Sequence, residues 1–259
     1  MSYIDFEGEA KRNLPYFKPS SEGDISVKVE KTDFIEASGL PLAEVDERLK
    51  TLNNESHIWD IPSKGIRARY WTNPKKETGI TFERYFGAIT ARIVGIRIKD
   101  TPEIGKSMEL VLRQDSGKEA IYTVSVKGQY FSGYAERLPL VDFDKPVRIG
   151  AYKTLKGDKK RYNATIEQDG KRIDSFFVSG KKDEKTEQWV WESKNGYPEV
   201  DQKELKKWGR EEYFRTRYYP ECSLFLVEYI ETNVAPKVND VTEVVEEVHD
   251  DITIEEVEF

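Results

Sequence analysis

Five short segments with β-strand character follow one another between residues 81 and 178, and they constrain the fold more than any other feature of the sequence. Each is rich in β-branched residues or alternates apolar with polar residues, as strands do. They are residues 89–99, 107–114, 120–126, 145–153 and 160–168. Residues 129–138 break the two-residue period and precede Pro139, which indicates a helix between the third and fourth strands. This order predicts a small closed β-barrel.

The order of these elements resembles that of the oligonucleotide-binding (OB) fold, a five-stranded Greek-key barrel with a helix between strands three and four. The resemblance implies a ligand across strands two and three, flanked by the loops between strands one and two and between strands four and five. The predicted fold class is mainly β, a β-rich α+β chain with one body at 1–237. Its predicted parts are an OB-fold barrel at about 81–178, an N-terminal elaboration at 1–80, a C-terminal hairpin, helix and strand at 179–237, and a disordered acidic tail at 238–259.

The loop between predicted strands four and five is a basic finger, residues 152–162 (YKTLKGDKKRY). Its five cations face one acid, Asp158, between two aromatic residues. The phosphates of a single nucleic-acid strand favour positive charge, and its exposed bases stack on flat rings. The candidate contacts are Tyr152, Lys153, Lys156, Lys159, Lys160, Arg161 and Tyr162. Tyr162 also shares the period of Ala164 and Ile166, so a place in the core is an equal alternative for it.

A second basic and aromatic segment, residues 66–76 (IRARYWTNPKK), contains no acid. Such interleaving is typical of a base-stacking platform. Its candidate contacts are Arg67, Arg69, Tyr70 and Trp71. The alternative is that Tyr70 or Trp71 belongs to the core and the arginines form a solvated strand face. Arg92 and Arg113 are two further candidates, on the outer face of the predicted barrel.

The flanking segments predict scaffold elements. The predicted elements are strands at 24–31, 171–178 and 188–192, helices at 41–52 and 202–217, and a buried strand at 222–230. Residues 1–23 are expected to form a surface arm anchored by Tyr16 and Phe17, and Asp201 is the expected N-cap of the second helix. Residues 80–86 fit a strand or a short helix.

Several classes of protein are disfavoured by composition and by missing motifs. One cysteine excludes an internal disulfide, and two distant histidines give no metal-binding spacing, so neither metal nor cofactor is expected. No apolar run reaches membrane-spanning length and the N-terminus lacks a signal-peptide core, which predicts a cytoplasmic protein, in the host cytoplasm if phage-encoded. No nucleophile or phosphate-loop motif and no carboxylate cluster with recognisable spacing is present, so an enzyme is the weakest hypothesis.

The net charge of −7 is distributed unevenly. Residues 238–259 contain nine acids and neither lysine nor arginine, whereas residues 63–237 carry 34 basic against 26 acidic residues. A basic middle attached to an acidic end is compatible with a nucleic-acid partner, even though the whole chain is acidic.

The last residues read EEVEF, so the Phe259 side chain and the carboxyl terminus follow a cluster of acids. This resembles the C-terminal tip of bacterial and bacteriophage single-stranded DNA-binding proteins, and the resemblance implies recruitment of replication and repair enzymes. The matching residues are Asp250, Asp251, Glu255, Glu256, Glu258 and Phe259. The segment is more apolar than such tips, so a helix at 238–248 or a strand at 252–257 docked on the barrel is an alternative. A merely solubilising tail is another.

The first functional hypothesis is a sequence-independent single-stranded DNA-binding protein, of the bacteriophage type. It would protect single-stranded DNA during replication, recombination and repair, and recruit partner enzymes through its tail. The alternative is a non-enzymatic β-rich structural or assembly protein of a virion, in which barrel and tail serve protein contacts. The two differ in whether oligonucleotide binding exists and depends on salt.

Overall fold

A large mixed β-sheet dominates the computed structural model, which describes residues 14–73, 75–102, 105–157, 159–182 and 189–239. The strands are β1 Tyr16–Pro19, β2 Ile25–Val29, β3 Ile58–Ile61, β4 Ile66–Thr72, β5 Thr78–Phe86, β6 Ala88–Thr101, β7 Gly105–Arg113, β8 Glu119–Ser125, β9 Val147–Lys156, β10 Lys159–Gln168, β11 Lys171–Arg172, β12 Val178–Lys182 and β13 Trp189–Ser193. The α-helices are α1 Lys31–Ser38, α2 Leu42–Lys50, α3 Phe131–Ala135, α4 Gln202–Trp208, α5 Arg210–Tyr213, α6 Tyr219–Tyr229 and α7 Ala235–Asn239. Short 3₁₀ turns occupy Pro62–Lys64 and Leu138–Leu140.

The five predicted strands are present as β6 to β10, but they do not form a closed five-stranded barrel. Across the described ranges the large sheet has eleven strands in the order β11-β10-β9-β6-β7-β8-β1-β2-β5-β4-β3. The free edge of β8 pairs in parallel with β1, with Tyr16 opposite Ile121, and no pairing of β8 with β10 is seen in these ranges. The prediction of a closed barrel is therefore wrong. The N-terminal segment, predicted to be a surface arm, supplies β1 as the next strand of the sheet.

Helix α3 fills the space between β8 and the β9–β10 pair. The Tyr122 hydroxyl on β8 donates to the Tyr134 hydroxyl of the helix at 2.7 Å, and Tyr134 donates to the Gly150 carbonyl on β9 at 2.9 Å. Gly133 lies so close to β10 that an added Cβ would come 2.8 Å from the Ala164 Cβ. The predicted helix thus plugs this interior, whose core includes Ile93.

The N-terminal strands form a second unit of the same sheet. β5 runs into β6 through Gly87, and β2, β5, β4 and β3 are joined by antiparallel pairing. One face of these strands packs on α1 and α2 around a separate core that includes Phe34, Val45 and Ile66. Residues 80–86 therefore form part of a strand and not the short helix that the sequence also allowed. The other face is polar and is described below.

The C-terminal segment is mainly helical. The predicted strand at 222–230 is wrong, because α6 covers Tyr219–Tyr229 and continues through π-helical turns at Phe214–Tyr218 and Ile230–Val234 on either side. The run at 222–230 is almost continuously apolar, and such a run fits a buried helix as well as a buried strand. Its periodicity therefore does not distinguish the two. Asp201 caps α4 as expected, accepting hydrogen bonds from two backbone amides, and Gly209 interrupts the predicted single helix at a φ of +76°.

Two further segments differ from expectation. The predicted strand at 171–178 is limited to Lys171–Arg172, and Val178–Lys182 instead pairs with Trp189–Ser193 as the separate two-stranded sheet β12–β13. α7 extends through Asn239, so residues 238 and 239, which were predicted to start the tail, belong to this last helix.

Among the described helices, none has the combination of length and apolarity needed to cross a bilayer.

Candidate functional site

One side of the N-terminal strands gathers charged residues from the five strands β1 to β5, and we call it the polar face. Alternation along β4 places Arg67, Arg69 and Trp71 on this face and Tyr70 on the opposite one, where Tyr70 packs against the second core. The members of the polar face are Lys18, Lys28, Asp60, Arg67, Arg69, Trp71, Thr81, Glu83 and Tyr85. The core alternative therefore holds for Tyr70 and not for Trp71.

Arg67 lies in the middle of the polar face and is only 1% exposed. Its two terminal nitrogens donate to the Asp24 carboxylate at 2.6 and 2.7 Å, and Nε donates to Glu83 Oε2 at 2.7 Å. The guanidinium also stacks 4.7 Å from the centre of the Tyr85 ring. Burial opposes its charge, but the hydrogen bonds to Asp24 and Glu83 prevail and raise the pKa of Arg67 above its ordinary value. Arg67, a predicted ligand contact, is placed here as a structural cation.

Arg69 and Trp71 remain accessible on the same strand. The Arg69 guanidinium lies 3.7 Å from Glu22 and 3.6 Å from Glu83, and its side chain is 20% exposed. Trp71 is 40% exposed and its indole lies over Gly79 on β5, where any larger residue would collide with the ring. The sequence prediction of a cation beside an exposed ring thus has a counterpart in this pair.

The turn between β1 and β2, residues 20–24, joins the polar face to the basic finger. Tyr130 donates from its hydroxyl to the Ser20 carbonyl at 2.9 Å, and Arg67 binds Asp24. Gly23 has a φ of +82° and packs so tightly on the Lys153 backbone that a Cβ would overlap it. The turn is therefore held in place on three sides.

Glu22, at the tip of this turn, contacts a cation from each basic segment. Lys153 Nζ lies 2.9 Å from one carboxylate oxygen, and Arg69 lies 3.7 Å from the other. Burial alone would raise the pKa of Glu22, but the hydrogen bond and charge of Lys153, with smaller contributions from Ser21 and Arg69, lower it. We call Glu22, Arg69 and Lys153 the junction. It brings together two predicted cations that are far apart in sequence.

Two cations of the polar face were missed by the sequence analysis. Lys28 lies opposite Glu83, and Lys18 lies beside both of them on β1. Burial lowers the pKa of Lys18, and the nearby charges of Lys28 and Arg69 lower it further, while Glu83 opposes them. The alternation of residues 24–31 could have identified Lys28 as a surface cation, whereas residues 14–19 carry no period that points to Lys18.

The basic finger is a two-stranded ribbon formed by the ends of β9 and β10. Pairing of β9 with β6 stops at Gly150, whereas pairing with β10 continues regularly to Lys156 opposite Lys159, with Gly157 at a φ of +60° in the turn. Lys160 and Arg161 are exposed and Tyr152 is half-buried. The side chains of Lys156 and Lys159, and all of Asp158, lie outside the part of the chain that the structure describes.

Tyr162 and Leu155 show how the ribbon changes along its length. Tyr162 packs edge-on against Tyr130, with ring centres 5.5 Å apart, and is partly buried against the main core, which agrees with the core alternative. Farther out, Leu155 on the same side of the ribbon is 70% exposed. The outer half of the ribbon therefore stands away from the core.

The outer face of β7 and β8, where the OB resemblance implied a ligand, is occupied by protein contacts. Arg113 is paired with Glu119 at 2.6 Å, and Arg97 binds the buried carboxylate of Glu109. Val111 and Ile121 are also buried on these strands. Arg92 is exposed and lies opposite Arg113. In the part of the chain that the structure describes, neither arginine is among the residues that contact Glu22, so neither belongs to the junction. The cations on the polar face and ribbon, rather than those on β6 and β7, form the candidate site.

The predicted partner-binding tip falls outside the described residues. Its residues are Asp250, Asp251, Glu255, Glu256, Glu258 and Phe259. Within the described ranges no group of three or more His, Cys, Asp and Glu side chains is arranged to hold a metal ion.

These features define a mainly β protein in which a large mixed sheet brings a polar face and a basic ribbon together at one junction. Comparison of the chain with protein-family models, curated protein sequences and solved structures finds no match in any of the three. The function is therefore inferred from the geometry and the sequence.

Proposed function

We propose that this chain is a sequence-independent single-stranded DNA-binding protein, of the kind that bacteriophages encode. It coats single-stranded DNA during replication, recombination and repair, and it recruits partner enzymes through its acidic C-terminal tail. The strand order β10-β9-β6-β7-β8, with α3 between β8 and β9, follows the OB connectivity and supports a derivative of that fold in which β1 takes the edge of β8.

The observation that carries the proposal is the junction. Arg69 and Lys153 come from the two segments whose basic and aromatic composition first indicated nucleic-acid binding, and both lie against Glu22. The two basic segments therefore meet at Glu22, with Trp71 on the same side of β4 as Arg69 and Lys160 on the same side of the ribbon as Lys153, whereas Tyr152 and Arg161 lie on the other side of the ribbon.

Binding at this surface needs no chemical transformation. Phosphates of the strand contact Arg69, Lys153 and Lys160 on one side of the ribbon and, where the strand passes around the ribbon, Arg161 on the other side. These contacts displace counterions from the DNA and make the affinity dependent on salt. Bases stack on Trp71 and Tyr152, and such stacking contributes about 1–3 kcal/mol per base without selecting a sequence. Arg67, Tyr70 and Tyr162 support this surface from within the fold.

The acidic tail competes with DNA for the same cations. Residues 240–259 contain nine acids, and a tethered polyanion lowers the affinity of a basic surface for DNA, most strongly at low salt. Removing it raises affinity and steepens the salt dependence. Recruitment of enzymes by the terminal Phe259 is a separate role of the same segment.

Fluorescence anisotropy with labelled oligothymidine and a labelled duplex tests the proposal. Full-length protein and a chain ending at Asn239 are titrated at two salt concentrations, and truncation after Asn239 keeps all of α7. We expect tighter binding to oligothymidine than to the duplex, weaker binding at the higher salt, and tighter binding by the truncated chain.

Absence of oligothymidine binding at low salt by both chains would overturn the DNA-binding proposal and favour an assembly protein. Equal affinities of the two chains would remove only the competition between tail and DNA.

A further inference from the structure

The junction has the geometry of a site for one phosphate group. Its two cations approach the same carboxylate from different elements, Lys153 from the ribbon and Arg69 from β4, at 2.9 and 3.7 Å. A carboxylate and a phosphodiester both present two oxygens that share one negative charge, and arginine and lysine are the usual partners of both.

The position of the cations is fixed by backbone packing rather than by Glu22. Gly23 packs directly on the Lys153 backbone, and the turn is also held through Asp24 by the buried Arg67. Arg69 lies on β4, a strand paired on both sides. The backbone positions of Arg69 and Lys153 therefore keep their spacing when the Glu22 side chain rotates away.

The three side chains of the junction are accessible enough for exchange. The side chain of Glu22 is 31% exposed, that of Lys153 30% and that of Arg69 20%. Arg67, two positions before Arg69 on β4, is closed to solvent. An ion pair that is partly open to solvent contributes little net stability, so a competing anion can replace the carboxylate.

We propose that Arg69 and Lys153 form a binding site for a single DNA phosphate, and that the Glu22 carboxylate occupies this site in the free protein. The inference rests on the proposed function and defines how one of its contacts is regulated. A bound strand displaces Glu22, whose side chain turns to solvent, while Lys18 and Lys28 keep the surrounding polar face positive beside Glu83.

Displacement predicts the effect of neutralising Glu22. Glu22→Gln removes the competing charge, so oligothymidine binding strengthens about twofold to fivefold, which is the fold-change equivalent of an exposed ion pair. In the wild type the displaced carboxylate takes up a cation that offsets one released from the DNA. The variant lacks this offset, and its salt slope steepens by up to about 0.7, the value for one single-strand phosphate.

The test is a salt series of oligothymidine titrations with the full-length protein and its variants. Glu44→Gln is the matched control, because Glu44 pairs with Arg48 at 3.0 Å on α2, on the apolar side of the same strands. We expect no change for the control. In the background of Arg69→Gln and Lys153→Gln together, Glu22→Gln loses its effect.

If the wild type binds oligothymidine and the Glu22→Gln and Glu44→Gln variants bind it with the same affinity as each other, the phosphate site is overturned and the proposed function still stands. A gain that persists in the Arg69→Gln and Lys153→Gln background would also overturn it, because the effect would then be one of net charge. Absence of binding by every chain contradicts the proposed function itself. Urea unfolding of each variant verifies that the compared proteins are folded.

Discussion

Arg67 and Arg69 stand two residues apart on one strand, yet the structure gives them different roles. Both point to the polar face, and the sequence treats them alike. Arg67 meets Asp24 and Glu83 and is closed to solvent, whereas Arg69 is farther from its acids and partly exposed. A buried arginine with all its charge satisfied inside the protein contributes to the fold, and the exposed one is available to a ligand.

Replacing Arg67 by alanine is expected to destabilise the protein by about 3–5 kcal/mol, because Glu83, at 3% exposure, and Asp24 would keep charges without their partner. Urea denaturation measures the loss. The matched control is Arg48→Ala on α2, whose ion pair with Glu44 is exposed and should change stability by about 1 kcal/mol or less. Wild-type stability of the Arg67 variant, combined with weaker oligothymidine binding, would instead identify Arg67 as a ligand contact.

At the scale of elements, the position of α3 depends on a glycine. The helix lies against β10, and Gly133 faces Ala164 in close contact. Carbon atoms pack favourably at about 3.5–4.0 Å, so the 2.8 Å available to an added methyl group is too short. The close packing of α3 on β10 therefore depends on the absence of a side chain at Gly133.

Gly133→Ala should destabilise the protein by about 1–3 kcal/mol through overpacking. In an exposed helix the same substitution stabilises, by up to about 1 kcal/mol, so the sign of the change reports the contact with β10. Chemical denaturation of Gly133→Ala, Ala164→Gly and the double variant gives the coupling energy, and the double variant should be more stable than the sum of the single changes indicates. Additive effects would show that the helix does not sit against Ala164.

At the scale of the whole molecule, the C-terminal helix returns to the middle of the sheet. The Asn239 side chain accepts a hydrogen bond from the Ile96 amide and donates one to the Ile96 carbonyl, both at 3.2 Å. Val238 is 3% exposed within the main core. The last described turn therefore covers the part of β6 that β9 has left, and the folded body includes residues 238 and 239.

Two truncations separate the body from the segment that follows. A chain ending at Lys237 should be less stable than one ending at Asn239 by about 2–4 kcal/mol, from the lost burial of one valine and two hydrogen bonds. The chain ending at Asn239 should unfold close to the full-length protein in a urea titration. Equal stability of the two truncated chains would mean that residues 238 and 239 do not contribute to the stability of the folded body. Asn239→Ala in the full-length chain isolates the hydrogen bonds to Ile96.

The sequence by itself determined the local structure where the pattern had a single reading. The strands β6 to β10 follow from the two-residue period, α3 from its interruption, and the N-cap of α4 from Asp201. The same local rules located the two basic segments, since Lys153, Arg69 and Trp71 are visible as charge and ring patterns. These features depend on neighbours in the chain, and a strand or turn signal is complete within about ten residues.

Only the tertiary structure decided which cations are exposed, where the sheet ends and what the apolar run at 222–230 becomes. β1 joins β8, and Glu22 meets Lys153, through contacts between segments more than 100 residues apart in the chain. No local period encodes such contacts, because they depend on how separately formed elements bury their apolar faces against one another. For the same reason the burial of Arg67, and the access left to Arg69, became visible only in the folded protein.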